Sequence, residues 1–209
     1  MRKEYIIQRI ENRDAGICWE DVEEANINEY PWQGYRNAPS ASAKVVMTAE
    51  GFWCRLRACE RELRAEIKGG EGNIQEDSCL GFLFNPAPEV SDEYMSFEFN
   101  PAGVSRVSIG AEKSGRREIA LEIKAKNFLQ SDVVFTKEET LWGTDFFISL
   151  KELDGFYKGA QYNSGKKMWG NFHKCGILTT HPHYSCWNMI DSGRPDFYKP
   201  EYFGELIIF

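Results

Sequence analysis

No apolar run in this 209-residue chain approaches the roughly 18 residues that a membrane-spanning helix requires. Positive charge is also in deficit. Lys and Arg number 25 against 32 Asp and Glu, giving a net charge of −7 and a sequence pI of about 5.2. Phosphate backbones and anionic lipid repel such a chain, so neither nucleic acid nor a membrane is expected as a partner. Arg55, Arg57, Arg61 and Arg64 do not change that, because they are interleaved with Glu60, Glu62 and Glu66 and form a mixed, solvated face. There is no internal repeat, low-complexity tract or Gly/Pro-rich linker, so residues 1–209 are expected to form one domain. The N-terminus, Met1-Arg-Lys-Glu-Tyr-Ile, lacks the apolar core of a signal peptide. A cytoplasmic protein is expected, or an exported one whose leader has been removed. The six cysteines contain no Cys-x-x-Cys pair, which favours reduced, mostly buried thiols. Gly-x-Ser-x-Gly, a phosphate-binding loop and His-Glu-x-x-His are all missing, so no motif announces catalysis.

What the chain has is aromatic rings, 14 Phe, 9 Tyr and 6 Trp, and many short segments of strand character. Tyr5 to Ile10 is an opening strand. Lys44 to Ala49 and Phe52 to Ala58 form a hairpin around Glu50-Gly51, and in its second arm Arg55 and Arg57 alternate with Cys54, Leu56 and Ala58. Cys79 to Phe84 is apolar almost throughout, as a central strand would be, and stops at Asn85-Pro86. Met95 to Phe99 and Val104 to Ile109 pair across the turn sequence Asn100-Pro-Ala-Gly103. Ile119 to Ile123, Val133 to Thr136, Asp145 to Leu150 and Leu206 to Phe209 complete the set, with short helical turns in Glu20 to Asn28 and Lys151 to Phe156. About ten strands with almost no amphipathic helix predict an all-β fold, a single antiparallel β-sandwich or jelly roll with long loops.

The last forty residues interleave rings, turn residues and polar side chains with no helical period, which predicts ring-bearing loops before a final strand. Four stretches in order then resemble one family. They are Glu76-Asp-Ser-Cys-Leu-Gly-Phe-Leu-Phe-Asn85, Tyr94-Met-Ser-Phe-Glu-Phe-Asn-Pro-Ala-Gly103, Trp169-Gly-Asn-Phe-His-Lys-Cys175, and the closing pattern His183-x3-Trp187, Pro195-x-Phe197-x2-Pro200-x2-Phe203-Gly204. Together they are similar to the family 9 carbohydrate-binding modules of the DOMON-like β-sandwich group, and to the stand-alone bacterial proteins related to them. The resemblance implies a β-sandwich that binds a saccharide without chemistry and serves carbohydrate catabolism. In such modules two tryptophans clamp a terminal sugar, polar side chains bond its hydroxyls, and many members hold structural calcium. Trp187 matches the later clamp tryptophan, whereas the positions of the earlier tryptophan, the strand acid and a basic residue are Ile74, Leu80 and Glu98 here.

Trp187 is therefore the expected aromatic platform, with Tyr184 beside it, and Trp32, Trp142 and Trp169 are candidates for a second ring. Asp77, Glu98, Asn100 and Asn171 are the expected hydroxyl partners, since carboxylates accept and amides both donate and accept; Lys174 lies beside Asn171. Asp77 could equally cap a turn or hold a metal. Two other readings stay open. The acids Asp77 and Glu98 could be the pair of a small glycan hydrolase. His173, His181 and His183, with Cys175 and Cys186, could form a tetrahedral zinc site, because His-x-His and His-x-Cys put alternate side chains on one strand face.

Overall fold

A ten-residue strand, Lys167–Gly176, organises one half of the molecule, although its sequence does not alternate cleanly between polar and apolar. The computed structural model describes residues 2–11, 16–32, 38–69, 71–131 and 139–209, and of 129–131 the backbone alone. In chain order the strands are β1 (Glu4–Arg9), β2 (Ala25–Asn26), β3 (Ser40–Met47), β4 (Gly51–Glu60), β5 (Cys79–Asn85), β6 (Tyr94–Phe99), β7 (Ser105–Gly110), β8 (Arg117–Glu118), β9 (Lys126–Ser131), β10 (Thr140–Ser149), β11 (Lys167–Gly176), β12 (His183–Cys186) and β13 (Gly204–Ile208). The helix α1 (Leu150–Phe156) follows β10 and is capped by the Ser149 hydroxyl, which accepts from the Lys151 amide.

The strands run in the order β8-β7-β6-β5-β11-β13-β1-β3-β4-β10-β9, and β1 is the hinge. Its first four residues pair with β13 and its last two pair with β3, both in parallel, so one sheet continues into the other. The other ladders are antiparallel, including β3 with β4, β5 with β6 and β6 with β7. The all-β sandwich is thus present, with two parallel pairings at the strand that joins its halves.

Rings fill the space between the sheets. Phe82 and Phe84 of β5 and Phe97 and Phe99 of β6 point inward with Phe172 of β11. They meet Phe52 of β4 and Phe146 of β10, with centroids 5.4 Å apart for Phe52–Phe84 and 4.7 Å for Phe99–Phe146. A second apolar layer covers the opposite face of β5, β6 and β11: Cys79, Leu83, Tyr94 and Cys175 from the strands, and Ile190, Phe197 and Phe203 from the C-terminal segment. Both faces of this sheet are therefore buried, which is why every residue of β5 and β6 is buried and why neither strand reads as alternating. The thiols of Cys54, Cys79, Cys175 and Cys186 lie inside, Cys59 is half-buried, and Cys18 is exposed.

Trp187 belongs to this interior. Its indole is 4% exposed and packs edge-on to Tyr5 and Phe172 at 6.3 and 5.7 Å. Gly204 makes room for it, since a Cβ there would sit 2.4 Å from the indole edge. The Ile119 to Ile123 segment is not a strand; β8 ends at Glu118, the Ile119 amide still donates to Val107 O of β7, and beyond it the chain bonds locally, Ile123 N–H to Leu121 O and Ala125 N–H to Ile123 O. The strand expected at Val133 to Thr136 lies outside the described residues. Glu20 to Asn28 holds one 3-10 turn, overlapping at Glu20–Asp21, and the strand β2.

Replacing Trp187 by Ala is expected to lower unfolding stability by about 3–5 kcal/mol, the cost of emptying a buried aromatic site. Urea unfolding monitored by circular dichroism checks this; a loss under about 1 kcal/mol would contradict the packing described.

Candidate functional site

The covering layer stops at the outward faces of β6 and β7, and a cleft of about 420 Å³ opens there. Its floor is Glu98 of β6 with Arg106 and Ser108 of β7. The turn Asn73–Gln75 forms one wall, Tyr184 and the Pro195–Tyr198 segment another, and Arg116 and Lys113 a third. Alternation places Glu98 here: Phe97 and Phe99 face the inner core, so Glu98 faces out.

Glu98 is only 7% exposed, and its Oε1 accepts from Gln75 Nε2 at 2.5 Å and from Tyr198 Oη at 3.3 Å. Burial pushes its carboxyl up from the usual range, against the downward pull of those two bonds and of Arg116 and Arg106. Arg116 is fixed by carbonyls: it donates to Tyr94 O, Gly110 O and Ser108 O, and its guanidinium lies 4.5 Å from the Tyr94 ring centroid and 4.9 Å from that of Tyr198. The Tyr184 and Tyr198 rings are half-buried, and Phe197 is almost fully covered. Trp32 supports them from behind, packing on Phe197 at 5.3 Å while its Nε1 donates to Ser192.

Of the residues expected from the sequence, Glu98 and Tyr184 reach this cleft. The others do not, and each has a structural task. Asp77 is fully buried and accepts from the Glu66 and Ile67 amides and from Asn100 Nδ2. Asn100 also donates to Ile67 O and accepts from Val104 N, closing the β6–β7 turn at Gly103, whose φ of 89° favours glycine. Asn171 exchanges two hydrogen bonds with the Asn188 backbone, and the Asn188 side chain in turn accepts from Lys3 N and donates to Tyr202 O. Trp142 is buried, and its Nε1 donates to Glu60 Oε1 at 2.5 Å. Trp169 lies beneath Arg2, whose guanidinium is 4.9 Å from the indole centroid. Gln75, Arg116 and Tyr198 were not singled out. The first two precede and follow the strands that carry the motifs, and Tyr198 sits inside the closing pattern as an unassigned x.

The histidines are also separate. His173 is buried, stacked on Phe197 at 4.2 Å, and neither ring nitrogen has a hydrogen-bond partner. His183 donates from Nδ1 to His181 O and accepts at Nε2 from the Lys174 ammonium at 2.7 Å. Lys174 crosses between the sheets to Glu60 Oε1 at 3.3 Å, and Glu60 Oε2 accepts from Ser78 Oγ. His181 is exposed. Among the described residues no group of three or more His, Cys, Asp and Glu is placed to hold a metal ion. Asp77 does not fit a calcium site either, since its oxygens face N–H donors and the Arg64 guanidinium at 3.5 Å.

Burial, helped by the Lys174 charge, holds both His173 and His183 down to about 3. Their folded pKa lies below the unfolded value near 6.5, so the unfolded chain binds the extra protons between those values. Stability is therefore full above about pH 6.5 and falls with acidification toward pH 3, each histidine contributing about 1.4 kcal/mol per pH unit. Glu98 acts oppositely, its contribution being complete below about pH 4.5 and lost as pH rises. Urea midpoints should drop from pH 7 to pH 4, less steeply in His173→Gln; a flat profile would contradict the buried neutral rings.

A family model for carbohydrate-binding family 9 matches residues 11–208. Among solved structures, the fold is similar to a provisionally assigned carbohydrate-binding protein from Bacteroides uniformis ATCC 8492, with 24% identity, 100% of both chains covered and a TM-score of 0.81. It is also similar to a family 9 carbohydrate-binding module from Caldicellulosiruptor kristjanssonii solved with cellotriose, at 9% identity, with 99% of this chain and 93% of that one covered and a TM-score of 0.64. The structure solved with glucose gives 8% identity, 99% and 96% coverage and a TM-score of 0.62. No curated protein matches the chain significantly. With the family model spanning nearly the whole sandwich, the chain belongs to carbohydrate-binding family 9.

Proposed function

We propose that the protein binds a saccharide without catalysing its conversion, in the cleft over β6 and β7. The observation that carries this reading is the placement of the Tyr184 and Tyr198 rings beside the Glu98 carboxylate in one open cleft of about 420 Å³. That volume lies in the range of small-ligand pockets, roughly 300–1,000 Å³. A pyranose offers an apolar C–H face to a ring and hydroxyls to its edge, and the cleft has groups for both. Family membership and the saccharides carried by the Caldicellulosiruptor modules support the same reading.

The platform is assigned to Tyr198 and Tyr184 rather than Trp187. The C-terminal loops do bring rings to the site, but the rings that reach it come from the segments on either side of that tryptophan. A hydrolase would need two carboxylates across one glycosidic bond. The pair expected for that role is divided, since Asp77 is buried among amides away from the cleft lining. The assignment to holding a saccharide rests on membership of carbohydrate-binding family 9.

Calorimetric titration with glucose and cello-oligosaccharides tests the site. Tyr198→Ala is expected to weaken binding at least ~10-fold, about 1.4 kcal/mol, while Trp187→Phe, which keeps the interior filled, stays within ~3-fold of wild type. Undiminished binding in Tyr198→Ala, or its loss in a folded Trp187→Phe, would place the site elsewhere.

A further inference from the structure

We infer that the cleft selects a saccharide unit with a free amine, an amino sugar, by pairing its ammonium with the Glu98 carboxylate. This rests on the saccharide-binding reading of the same cleft and adds the chemical class of the ligand.

The inference starts from a cross-strand row. His173 of β11, Gly81 of β5, Glu98 of β6 and Arg106 of β7 are register partners in sequence. Gly81 leaves a gap in that row, and the His173 ring lies across it; a Cβ on Gly81 would come within 2.0 Å of Nε2. Phe197 stacks over the other side of the ring. His173 is thus held with Nε2 3.8 Å from Glu98 Oε1, too far for a hydrogen bond. Both of its nitrogens are buried and unpartnered beside the cleft floor. A neutral imidazole supplies Glu98 with no compensating charge. The two groups that do bond Glu98 Oε1, Gln75 and Tyr198, are neutral donors.

The direct hydrogen bonds to Glu98 therefore come from neutral donors, while Arg106 and Arg116 act on it through their charge alone. A buried carboxylate bonded only by neutral donors gains from a charge-assisted hydrogen bond, which a ligand ammonium would supply. The residual upward pressure on the Glu98 carboxyl, which persists despite Arg106 and Arg116, points the same way. A sugar acid fits less well. Arg116 already donates to three carbonyls, Lys113 faces Asp196 at 3.7 Å, and a ligand carboxylate would meet Glu98, Glu118 and Asp196. The Tyr198 and Tyr184 rings suit both the pyranose face and a neighbouring cation.

The experiment is calorimetric titration of the full chain at pH 6.5 with glucose, glucosamine, N-acetylglucosamine and glucuronate. Glucosamine is expected to bind at least ~10-fold more tightly than glucose or N-acetylglucosamine, the latter keeping the ring but losing the charge, and glucuronate most weakly. In Glu98→Gln, with folding checked by thermal unfolding, the glucosamine-to-glucose ratio is expected to fall to about one. Glucose binding with no preference for glucosamine in wild type overturns this inference and leaves the saccharide reading standing. So does a preference that survives Glu98→Gln, or tighter binding of glucuronate. Absence of binding by all four sugars overturns both.

Discussion

The constraint on which the rest depends is the burial of one sheet on both faces. Aromatic packing against the opposing sheet covers the inner side of β5, β6 and β11, and the C-terminal segment from Trp187 to Phe203 covers much of the outer side. This fixes what the C-terminal rings are for. Phe197 and Phe203 complete a second apolar layer, and Trp187 is set into the first through the gap at Gly204. A ring committed to such a layer contributes burial free energy of the order of a few kcal/mol and is not available to a ligand.

The candidate cleft begins where this cover ends. At the edge over β6 and β7 the outward positions change from Tyr94 and Ser96 to Glu98, with Arg106 and Ser108 beside it, and the cleft follows from that change in residue type. Two of the groups around Glu98 are held by the fold, Arg116 by strand carbonyls and His173 by Gly81 and Phe197. That arrangement leaves a preorganised floor, which lowers the ordering cost of binding. On the other side of β11, Lys174 bridges the two sheets to Glu60 with His183 as its second partner, so the polar residues of one strand serve two different purposes on its two faces.

Much of the fold was legible because local signals agreed with it. The hairpin around Glu50-Gly51 and the turn at Asn100–Gly103 carry their own chemistry, and the central strand at Cys79 reads as buried because it is buried twice. β11 was not among the expected strands; most of it falls in the stretch expected to be ring-bearing loops. Asn171, His173 and Lys174 look like surface residues, yet all three are buried with specific neighbours. The Ile119 to Ile123 segment failed in the opposite direction, alternating like a strand while making a single bond to β7, from the Ile119 amide to Val107 O. The site was half legible. Glu98 and Tyr184 could be placed in it, but Trp187, expected as the platform from the family resemblance, lies in the interior between the polar Ser185 and Asn188. Those polar neighbours are themselves buried, Asn188 through hydrogen bonds to Asn171, Lys3 and Tyr202. Polarity in sequence indicates exposure only when the fold offers no internal partner.

The most direct measurement is amide hydrogen–deuterium exchange of the wild-type protein with and without a saturating saccharide. The account predicts slowed exchange centred on residues 195–198 and on 105–118, with the amides around Trp187 and β13 unchanged. Protection centred on β13 and the residues beside Trp187, with none over β6 and β7, would contradict it.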